Sequence, residues 1–410
     1  MQTIGVQSLT KTTTDTFTKN IWLYYLFAAF SSMDFTRGIF ILFFLSRGFD
    51  HSQIGLFQSI LFGSILLFEL PSGMFADRYR RKWSVLVGIA TVIVGFIGVL
   101  VSKNFYVVAG LFALKGLGMA FSSGANTALL YDYLKTQGSK AKSTYLQVSA
   151  KSRNIGNLTL AFAIWLGGVL EKQQGWSYAY GAAIVAYFLA GFCILFFQET
   201  PHESHSHEER PSVTASIKEY LSSTTGKYLL LLIAALCFFE AGATPLYIFS
   251  QSYFQAQGLD VATIGLIMSL ASLANSFWYT FTSFFKRFEL KNIILGGVSL
   301  FALLVLGYAL PYNLTLHVGL FIFLASFPNL VFVFTDTYLH QQVPSNIRAS
   351  LISIQSLVNS LSIACSYMAL GYFMDHGFGV KAMSLLSIPP LLCLVLLGVY
   401  FKKAGKISHV

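Results

Sequence analysis

The sequence predicts an all-α membrane protein with twelve transmembrane helices, and two observations lead to this prediction. Of the 410 residues, 55% are hydrophobic and only 11% are charged, whereas a soluble globular protein carries about 25% charged residues. The chain also contains twelve apolar runs, each close to the roughly 20 residues that a helix needs to cross a bilayer. These features exclude a soluble enzyme, a nucleic-acid binder, a disordered chain and a disulfide scaffold.

The apolar runs give the order of the helices. In the first half they fall near residues 21–46, 54–75, 83–101, 105–130, 145–170 and 176–197, and in the second half near 228–254, 264–285, 293–310, 316–334, 351–374 and 380–400. Lipid offers the backbone no hydrogen-bond partner, so these runs must form helices or a closed barrel. They lack the strict alternation of polar and apolar residues that marks strands, so helices are predicted.

The distribution of Lys and Arg predicts the orientation. With the amino terminus in the cytoplasm, 19 of the 27 basic residues fall in the two tails and the even-numbered connections, and four fall in the outward connections. Basic residues accumulate on the cytoplasmic side of a membrane protein, so both termini are expected there. The net charge of +10 then reflects topology, and no nucleic-acid partner is expected. The polar first 20 residues lack the apolar stretch of a cleaved signal peptide.

The longest polar stretch, residues 198–227, divides the twelve runs six and six. We therefore predict an N-terminal bundle at residues 1–197, a C-terminal bundle at 228–410, and between them a linker with a short amphipathic helix near 213–221. Three histidines lie in residues 202–209, but nothing fixes a ligand geometry there. A solvated linker is favoured, and no metal site is predicted.

An internal repeat supports the division into two halves. The pattern Asp-x-x-x-Ile-Gly-Leu opens the second run at residues 50–56 and the eighth run at 260–266. Two six-helix halves related as parallel repeats are typical of transporters, in which the substrate site lies near the membrane midplane between the repeats.

The connection between the second and third runs carries the most specific motif. It reads Gly-Met-Phe-Ala-Asp-Arg-Tyr-Arg-Arg-Lys at residues 73–82 and resembles the signature loop of the major facilitator superfamily, Gly-x-Leu-Ala-Asp-Arg-x-Gly-Arg-Lys, with Arg80 in place of the second glycine. The resemblance extends over the whole chain. It implies the major facilitator fold, with two pseudo-symmetric six-helix bundles and both termini in the cytoplasm, and a monomer similar to drug and metabolite exporters.

The resemblance also implies a conformational latch formed by Gly73, Asp77, Arg78, Arg81 and Asp132. Gly73 would let a partner helix approach closely, and Asp77 would face the positive N-terminal end of a helix from the other half, the eleventh helix in the family. Arg81 would pair with Asp132 at the end of the fourth run. A simple positive-inside anchor is the alternative interpretation, and it suits Arg78 better than Asp77.

Four ionisable residues lie near the midplane, where a charge costs about 2.5–3.5 kcal/mol and indicates function by default. Asp34 and Arg37 lie in the first run, Lys115 in the fourth and Glu240 in the seventh. In the family these helices line the central cavity. We predict that Glu240 and Asp34 carry protons and that Arg37 and Lys115 bind substrate. The alternative is two closed structural ion pairs, Asp34 with Arg37 and Glu240 with Lys115.

Further substrate-binding candidates are Thr244, Tyr247, Asn275 and Trp278. Thr244 precedes Pro245, which is expected to loosen the seventh helix and free backbone groups at the depth of the site.

Three more charged residues, Glu69, Lys151 and Arg153, lie deeper toward the cytoplasm. They suggest an inner gate, with a buried structural pair as the alternative.

The predicted function is a proton-coupled secondary transporter in the cytoplasmic membrane that exports a small amphipathic organic molecule by alternating access. Its partners would be this substrate, protons and membrane lipid, and it would need no cofactor because the proton gradient supplies the energy. Proton-symport uptake of an anionic nutrient, or of a metal chelate such as a siderophore, stays an alternative. Drug–proton antiporters of the family that this chain resembles carry the signature Gly-Pro-x-x-Gly-Gly in the fifth helix. Here Gly167-Gly168 is present but the Gly-Pro pair is missing, which weakens the case for antiport. A transporter-like receptor is a second alternative. An enzyme is not expected, because the sequence offers no nucleophile paired with a general base at membrane depth.

Overall fold

The computed structural model describes residues 2–135, 141–199, 222–285, 287–308, 310, 313–343 and 348–404. In these residues the chain is helical and contains no strand. The α-helices are α1 (Gln2–Ser32), α2 (Phe40–Ser46), α3 (His51–Tyr79), α4 (Arg81–Val101), α5 (Phe105–Lys135), α6 (Ala141–Gln174), α7 (Trp176–Phe196), α8 (Thr224–Ala256), α9 (Val261–Phe285), α10 (Leu290–Gly307), α11 (Leu314–Ser326), α12 (Pro328–Gln342), α13 (Arg348–Phe373) and α14 (Ile388–Ala404). The predicted fold class, an all-α multi-pass membrane protein, is confirmed.

Twelve membrane spans can be counted in the part of the chain that the structure describes. Ten stretches of the described residues are long and apolar enough to cross a membrane, and one of them, Leu351–Lys403, contains both α13 and α14. The remaining span is α6, which has 34 residues but carries polar side chains such as Asn154 and Asn157 along its length. Span 1 comprises α1 and α2, and span 10 comprises α11 and α12.

The first apolar run, predicted as a membrane-spanning helix, is divided into two helices. α1 ends at Ser32, a short 3-10 turn covers Arg37–Ile39, and α2 begins at Phe40. At the break, Oδ1 of Asp34 accepts hydrogen bonds from the backbone N–H of Thr36 at 3.0 Å and from its hydroxyl at 2.6 Å. Aspartate side chains that bond the local backbone in this way compete with helix hydrogen bonding. The break therefore lies at one of the predicted functional residues.

The tenth span is also broken, whereas the seventh is not. α11 ends at Ser326 and α12 begins at Pro328, because proline has no N–H to continue the preceding helix and suits the first position of a new one. Pro245 also lies inside a span, yet α8 continues through it from Thr224 to Ala256. The expected loosening at Pro245 thus does not interrupt the helix.

The first seven helices pack mainly among themselves, and so do the last seven. Two helix pairs form the most extensive contacts between the halves, since α3 packs along α13 and α6 packs along α9, and α2 makes a smaller contact with α8. We call the side of the bundle where α1 begins and α14 ends the terminal face, and the other side the opposite face. The predicted boundaries of the two bundles stay a prediction, and both the histidine stretch and the amphipathic helix of the linker lie outside the described residues.

Glycine lets both pairs of joining helices come into backbone contact near the opposite face. A Cβ atom on Gly55 of α3 would collide with the carbonyl oxygen of Tyr367 on α13. A Cβ atom on Gly265 of α9 would lie only 3.1 Å from the Cα of Gly168 on α6. Gly55 and Gly265 occupy the same position of the internal repeat, so the repeat marks the two helix crossings that bring the halves together.

Candidate functional site

The opposite face is closed by a hydrogen-bonded clasp at the start of α3. The Asp375 carboxylate, in the connection after α13, accepts from the backbone N–H groups of His51 at 3.3 Å and Ser52 at 2.6 Å, and from the Ser52 hydroxyl at 2.6 Å. The His51 ring lies 2.9 Å through Nδ1 from Asp375 and 3.0 Å through Nε2 from the Ser252 hydroxyl on α8. His51 therefore links α3 to two separate parts of the second half.

The clasp places a carboxylate at the positive N-terminal end of α3, where an anion is stabilised. Burial alone would raise the pKa of the Asp375 carboxyl, but the hydrogen bonds from Ser52 and His51 outweigh it and hold the pKa below its usual value. Asp375 is therefore expected to be ionised at neutral pH, which keeps the clasp intact.

Two further contacts close the same face. The Gln251 side chain of α8, which is fully buried, donates to the carbonyl of Arg37 at 2.9 Å and accepts from the N–H of Ile41 at 2.9 Å. It thus satisfies backbone groups that the break in span 1 leaves free. Lys172 at the end of α6 lies 3.3 Å from Asp260 before α9.

The terminal face is open between the halves. The contact of Ser356 on α13 with Glu69 on α3 joins the two halves between the Gly55 crossing and this face. Beyond Glu69, α3 exposes Leu70 (65%) and Met74 (74%), and no atom lies within 4 Å of a Cβ built on Gly73. The structure is therefore the conformation in which the space between the halves is reached from the terminal face.

Three of the four midplane charges form one group in the first half. Arg37 is exposed although it lies in the middle of span 1, and its guanidinium carbon is 5.6 Å from the ring centre of Tyr247 on α8. It therefore faces the space between the halves. Lys115 has its Nζ 4.5 Å from the ring of Phe96, and the charges that act on it are those of Asp34 and Arg37.

Glu240, the fourth midplane charge, lies apart from this group. Its carboxylate accepts a hydrogen bond from Nδ2 of Asn359 on α13, and the charge that acts on it is Asp336 rather than Lys115. The alternative of two closed ion pairs fails, because among the described residues no ion pair joins any two of the four. Oδ1 of Asn359 is buried and has no hydrogen-bond partner.

Helix α13 touches a membrane-depth carboxylate from each half of the protein. The Ser356 hydroxyl lies 3.1 Å from both carboxylate oxygens of Glu69 on α3, and Asn359, three residues later, binds Glu240 on α8. The sequence analysis missed Ser356 and Asn359. Their polarity inside an apolar span was the available signal.

Two of the predicted substrate-binding residues lie along α8. The hydroxyl of Tyr247 is 3.1 Å from the carbonyl of Met268 and 3.2 Å from the hydroxyl of Ser272, both on α9. The carbonyl of Thr244 lies 3.5 Å from the hydroxyl of Tyr367 on α13. Both therefore lie where α8 meets helices that connect the halves.

The other two meet the break in span 10. Oδ1 of Asn275 accepts from Nδ2 of Asn329 at 2.7 Å, and the indole N–H of Trp278 donates to the hydroxyl of Ser326 at 2.9 Å. An amide pair and an indole are thus held together by the residues on either side of the break.

One ion pair expected of the predicted latch is formed. Arg81 and Asp132 form the expected ion pair, at 2.5 Å, while Arg78 is exposed with its guanidinium carbon 5.5 Å from the ring of Tyr79. Gly73 is open, as described above, and the side chain of Asp77 lies outside the described residues. The role of these residues as a latch stays a prediction.

The three inner-gate candidates do not form one cluster in this conformation. Lys151 has its Nζ 4.9 Å from the ring of Tyr25 on α1, and Arg153 acts electrostatically on Tyr24. Glu69 instead contacts Ser356 on α13. The two basic residues therefore belong to the α1–α6 packing, and Glu69 to the contact between the halves.

Comparisons with known proteins agree with this architecture. A sequence model of the family described as "Major Facilitator Superfamily" matches residues 24–364. The chain is 24% identical over 378 residues to "Uncharacterized MFS-type transporter YxaM" of Bacillus subtilis (strain 168), covering 88% of this chain and 90% of that protein. It is 28% identical over 152 residues to "Enterobactin exporter EntS" of Salmonella typhi, covering 36% of each. The crystal structure of nucleoside transporter NupG aligns with a TM-score of 0.70 at 15% identity, over 94% of this chain and 98% of that one.

Proposed function

Because the chain belongs to the major facilitator superfamily, we propose that it is a proton-coupled secondary transporter that exports a small amphipathic organic molecule by alternating access. A multi-pass membrane transporter, rather than an enzyme, is what the family and its relatives indicate. Proton coupling and the direction of transport are the finer parts of the proposal. They rest on the residues at membrane depth.

The observation that carries the proposal is the environment of Glu240. A carboxylate in a low-dielectric interior is costly when ionised, unless hydrogen bonds or a cation stabilise it. Glu240 has an amide partner, Asn359, and among the described residues no cation lies within ion-pair distance of it. An amide can donate to a carboxylate through its nitrogen and accept from a carboxylic acid through its oxygen. Asn359 can therefore hold Glu240 in both protonation states, which is what a proton carrier requires.

The proposed cargo class rests on Arg37, on its neighbour Tyr247, and on the predicted binding residues Asn275 and Trp278. The guanidinium is exposed to the space between the halves and stacks on Tyr247, so it offers a cation beside an aromatic surface. Asn275 adds an amide and Trp278 an indole on α9. This combination suits a molecule with an apolar or aromatic body and an anionic or zwitterionic group.

The proposed direction of transport depends on which face of the bundle lies in the cytoplasm. The excess of basic residues favours a cytoplasmic position for the terminal face, so the conformation described here would open the site to the cytoplasm. We infer a monomer in the cytoplasmic membrane with both termini inside. The relative named as an enterobactin exporter supports export, while the likeness to the nucleoside transporter structure concerns the fold alone.

Proton-symport uptake is the second candidate function, and one observation favours it. Neither Arg37 nor Lys115 has an acid within ion-pair distance among the described residues, so the site could attract an anionic nutrient or a metal chelate. In that case proton and cargo would move in the same direction.

Purified protein in liposomes with a trapped pH dye distinguishes the candidates. Amphipathic cations, zwitterions, anions and metal chelates are added one at a time across an imposed proton gradient. Export by antiport predicts proton movement opposite to the cargo, and symport predicts movement in the same direction. Binding without proton movement for every class would reject the proposed coupling and favour a receptor.

A further inference from the structure

A groove on the outer surface of the second half is separate from the central site. It has a volume of about 310 Å³ and runs between the end of α9, the first half of α10 and the start of α12. Phe288 and Leu300 on its rim are exposed, and α10 packs mainly on α12, on α14 and on the turn before α14, all in the second half. The groove therefore opens toward the surrounding bilayer rather than toward the space between the halves.

The groove has the depth of one lipid leaflet. It begins beside Phe288 at the terminal face and reaches Leu300, which lies ten residues into α10, or about 15 Å at the rise of an α-helix. Half of a typical hydrocarbon core is also about 15 Å. A ligand that fills the groove therefore extends from the membrane interface to the midplane.

Two adjacent glycines create this space. A Cβ on Gly297 would lie 2.7 Å from Cγ2 of Val331 on α12, so this glycine lets α10 and α12 pack closely. A Cβ on Gly296 would meet no atom within 4 Å, so this glycine leaves the groove open. Ile293 and Leu330 add apolar walls. Water does not fill an apolar groove at this depth, and an acyl chain can.

The mouth of the groove carries an available cation. The guanidinium carbon of Arg287 lies 4.1 Å from the ring of Phe284 and 5.1 Å from that of Phe288, a groove wall. Arg287 is exposed, and no ion pair to it occurs among the described residues. The nearby Glu289 carboxylate lies 3.5 Å from the amide of Asn292. Guanidinium groups bind phosphate through two parallel hydrogen bonds.

From this arrangement we propose that the groove binds one acyl chain of an anionic phospholipid, whose phosphate is held by Arg287. The apolar walls of the groove alone would bind the acyl chain of any phospholipid. The cation at the mouth favours a lipid with net negative charge, because each basic residue near a membrane surface attracts anionic lipid. Lys291, whose Nζ lies 5.1 Å from the ring of Phe401, adds a second positive charge close by. This proposal is independent of the cargo and of proton coupling.

Native mass spectrometry of the delipidated full-length protein tests the proposal. The protein is incubated with equal amounts of phosphatidylglycerol and phosphatidylcholine, and the bound lipids are counted. We expect wild type to retain phosphatidylglycerol preferentially. Arg287→Gln should reduce this preference about fivefold, and Arg287→Lys should keep most of it. Gly296→Leu should reduce the binding of both lipids, because the new side chain fills the groove.

Two control variants and a photo-cross-linking measurement on the wild-type protein complete the test. Lys103→Gln removes an exposed basic residue at the opposite face, and Gly110→Leu adds a side chain at another open glycine; neither should change binding. A phosphatidylglycerol with a photoactivatable acyl chain should cross-link wild type within residues 285–300. An unchanged preference in Arg287→Gln, unchanged adducts in Gly296→Leu, or cross-links elsewhere only would overturn the proposal.

Discussion

Adding one methyl group to Gly55 should shift the protein away from the conformation described here. A Cβ at this position would collide with the carbonyl oxygen of Tyr367 and lie 3.2 Å from its carbonyl carbon. Both are backbone atoms of α13, so no side-chain rotation relieves the contact and α3 must move away from α13. Overpacking of this kind costs about 1–3 kcal/mol. Because the contact exists only while the opposite face is closed, Gly55→Ala should favour the opposite-open state by about 5- to 150-fold.

The distance between two spin labels measures this shift. After the four native cysteines are replaced by serine, labels are attached at Lys103 in the first half and Gln257 in the second, both exposed residues near the opposite face. Gly55→Ala should increase the population with the longer distance. The matched control is Gly63→Ala on the same helix, where the added Cβ meets no atom within 4 Å.

Two results would refute this reasoning. One is an unchanged distance distribution in Gly55→Ala, which would mean that the crossing of α3 and α13 tolerates a side chain. The other is an equal shift in Gly63→Ala, which would attribute the effect to helix α3 in general rather than to the close approach.

Three further substitutions test other parts of the structure. Arg80, the residue after the end of α3, has φ of 80° and ψ of 141°, a conformation that costs a non-glycine residue about 1–3 kcal/mol. Arg80→Gly should therefore raise the melting temperature of the protein in detergent. An unchanged or lower melting temperature would contradict backbone strain at this position. Asp375→Asn removes the charge at the start of α3 and should destabilise the closed state by about 1 kcal/mol. The spin-label measurement should show this as a larger population with the longer distance. Since the pKa of Asp375 is held below its ordinary value of 3.8, its contribution is present above that value and is lost only as the pH falls below it. The difference between Asp375→Asn and wild type should therefore be the same at pH 7 and at pH 5, and its disappearance at pH 5 would contradict the clasp. Asn359→Leu deprives Glu240 of its hydrogen bond, worth about 1.5–3 kcal/mol to a charged group, and should lower proton-driven transport at least tenfold at unchanged protein yield; wild-type rates would exclude Asn359.

Sequence patterns predicted the number and order of the spans but not where two of them break. Asp34 interrupts span 1 through hydrogen bonds to Thr36, a local competition that the apolar character of the run does not reveal. Pro328 was visible in the sequence as a helix breaker, yet Pro245, equally visible, leaves α8 continuous. A proline inside a span therefore predicts a break only when the surrounding helices do not support the interrupted turn.

Charged residues at membrane depth could be located from the sequence, but their partners could not. Asn359 is 119 residues from Glu240 along the chain, and Ser356 is 287 residues from Glu69. Such contacts depend on how α13 packs against helices of both halves, which no local periodicity encodes. For the same reason the clasp between Asp375 and the start of α3 was not predicted, although the repeat at residues 50–56 and 260–266 marked the helices concerned.

The most direct test of the central claim is to measure proton movement across liposomes that contain the Glu240→Gln variant. The cargo is whichever compound drives proton movement in wild type, and labelled cargo exchange at equal pH checks that the variant still binds and moves it. The control is Asp336→Asn, which neutralises the exposed acid that acts on Glu240. We predict that Glu240→Gln retains exchange and loses proton movement, while Asp336→Asn retains both. Proton movement at the wild-type rate in Glu240→Gln would remove Glu240 from the coupling mechanism.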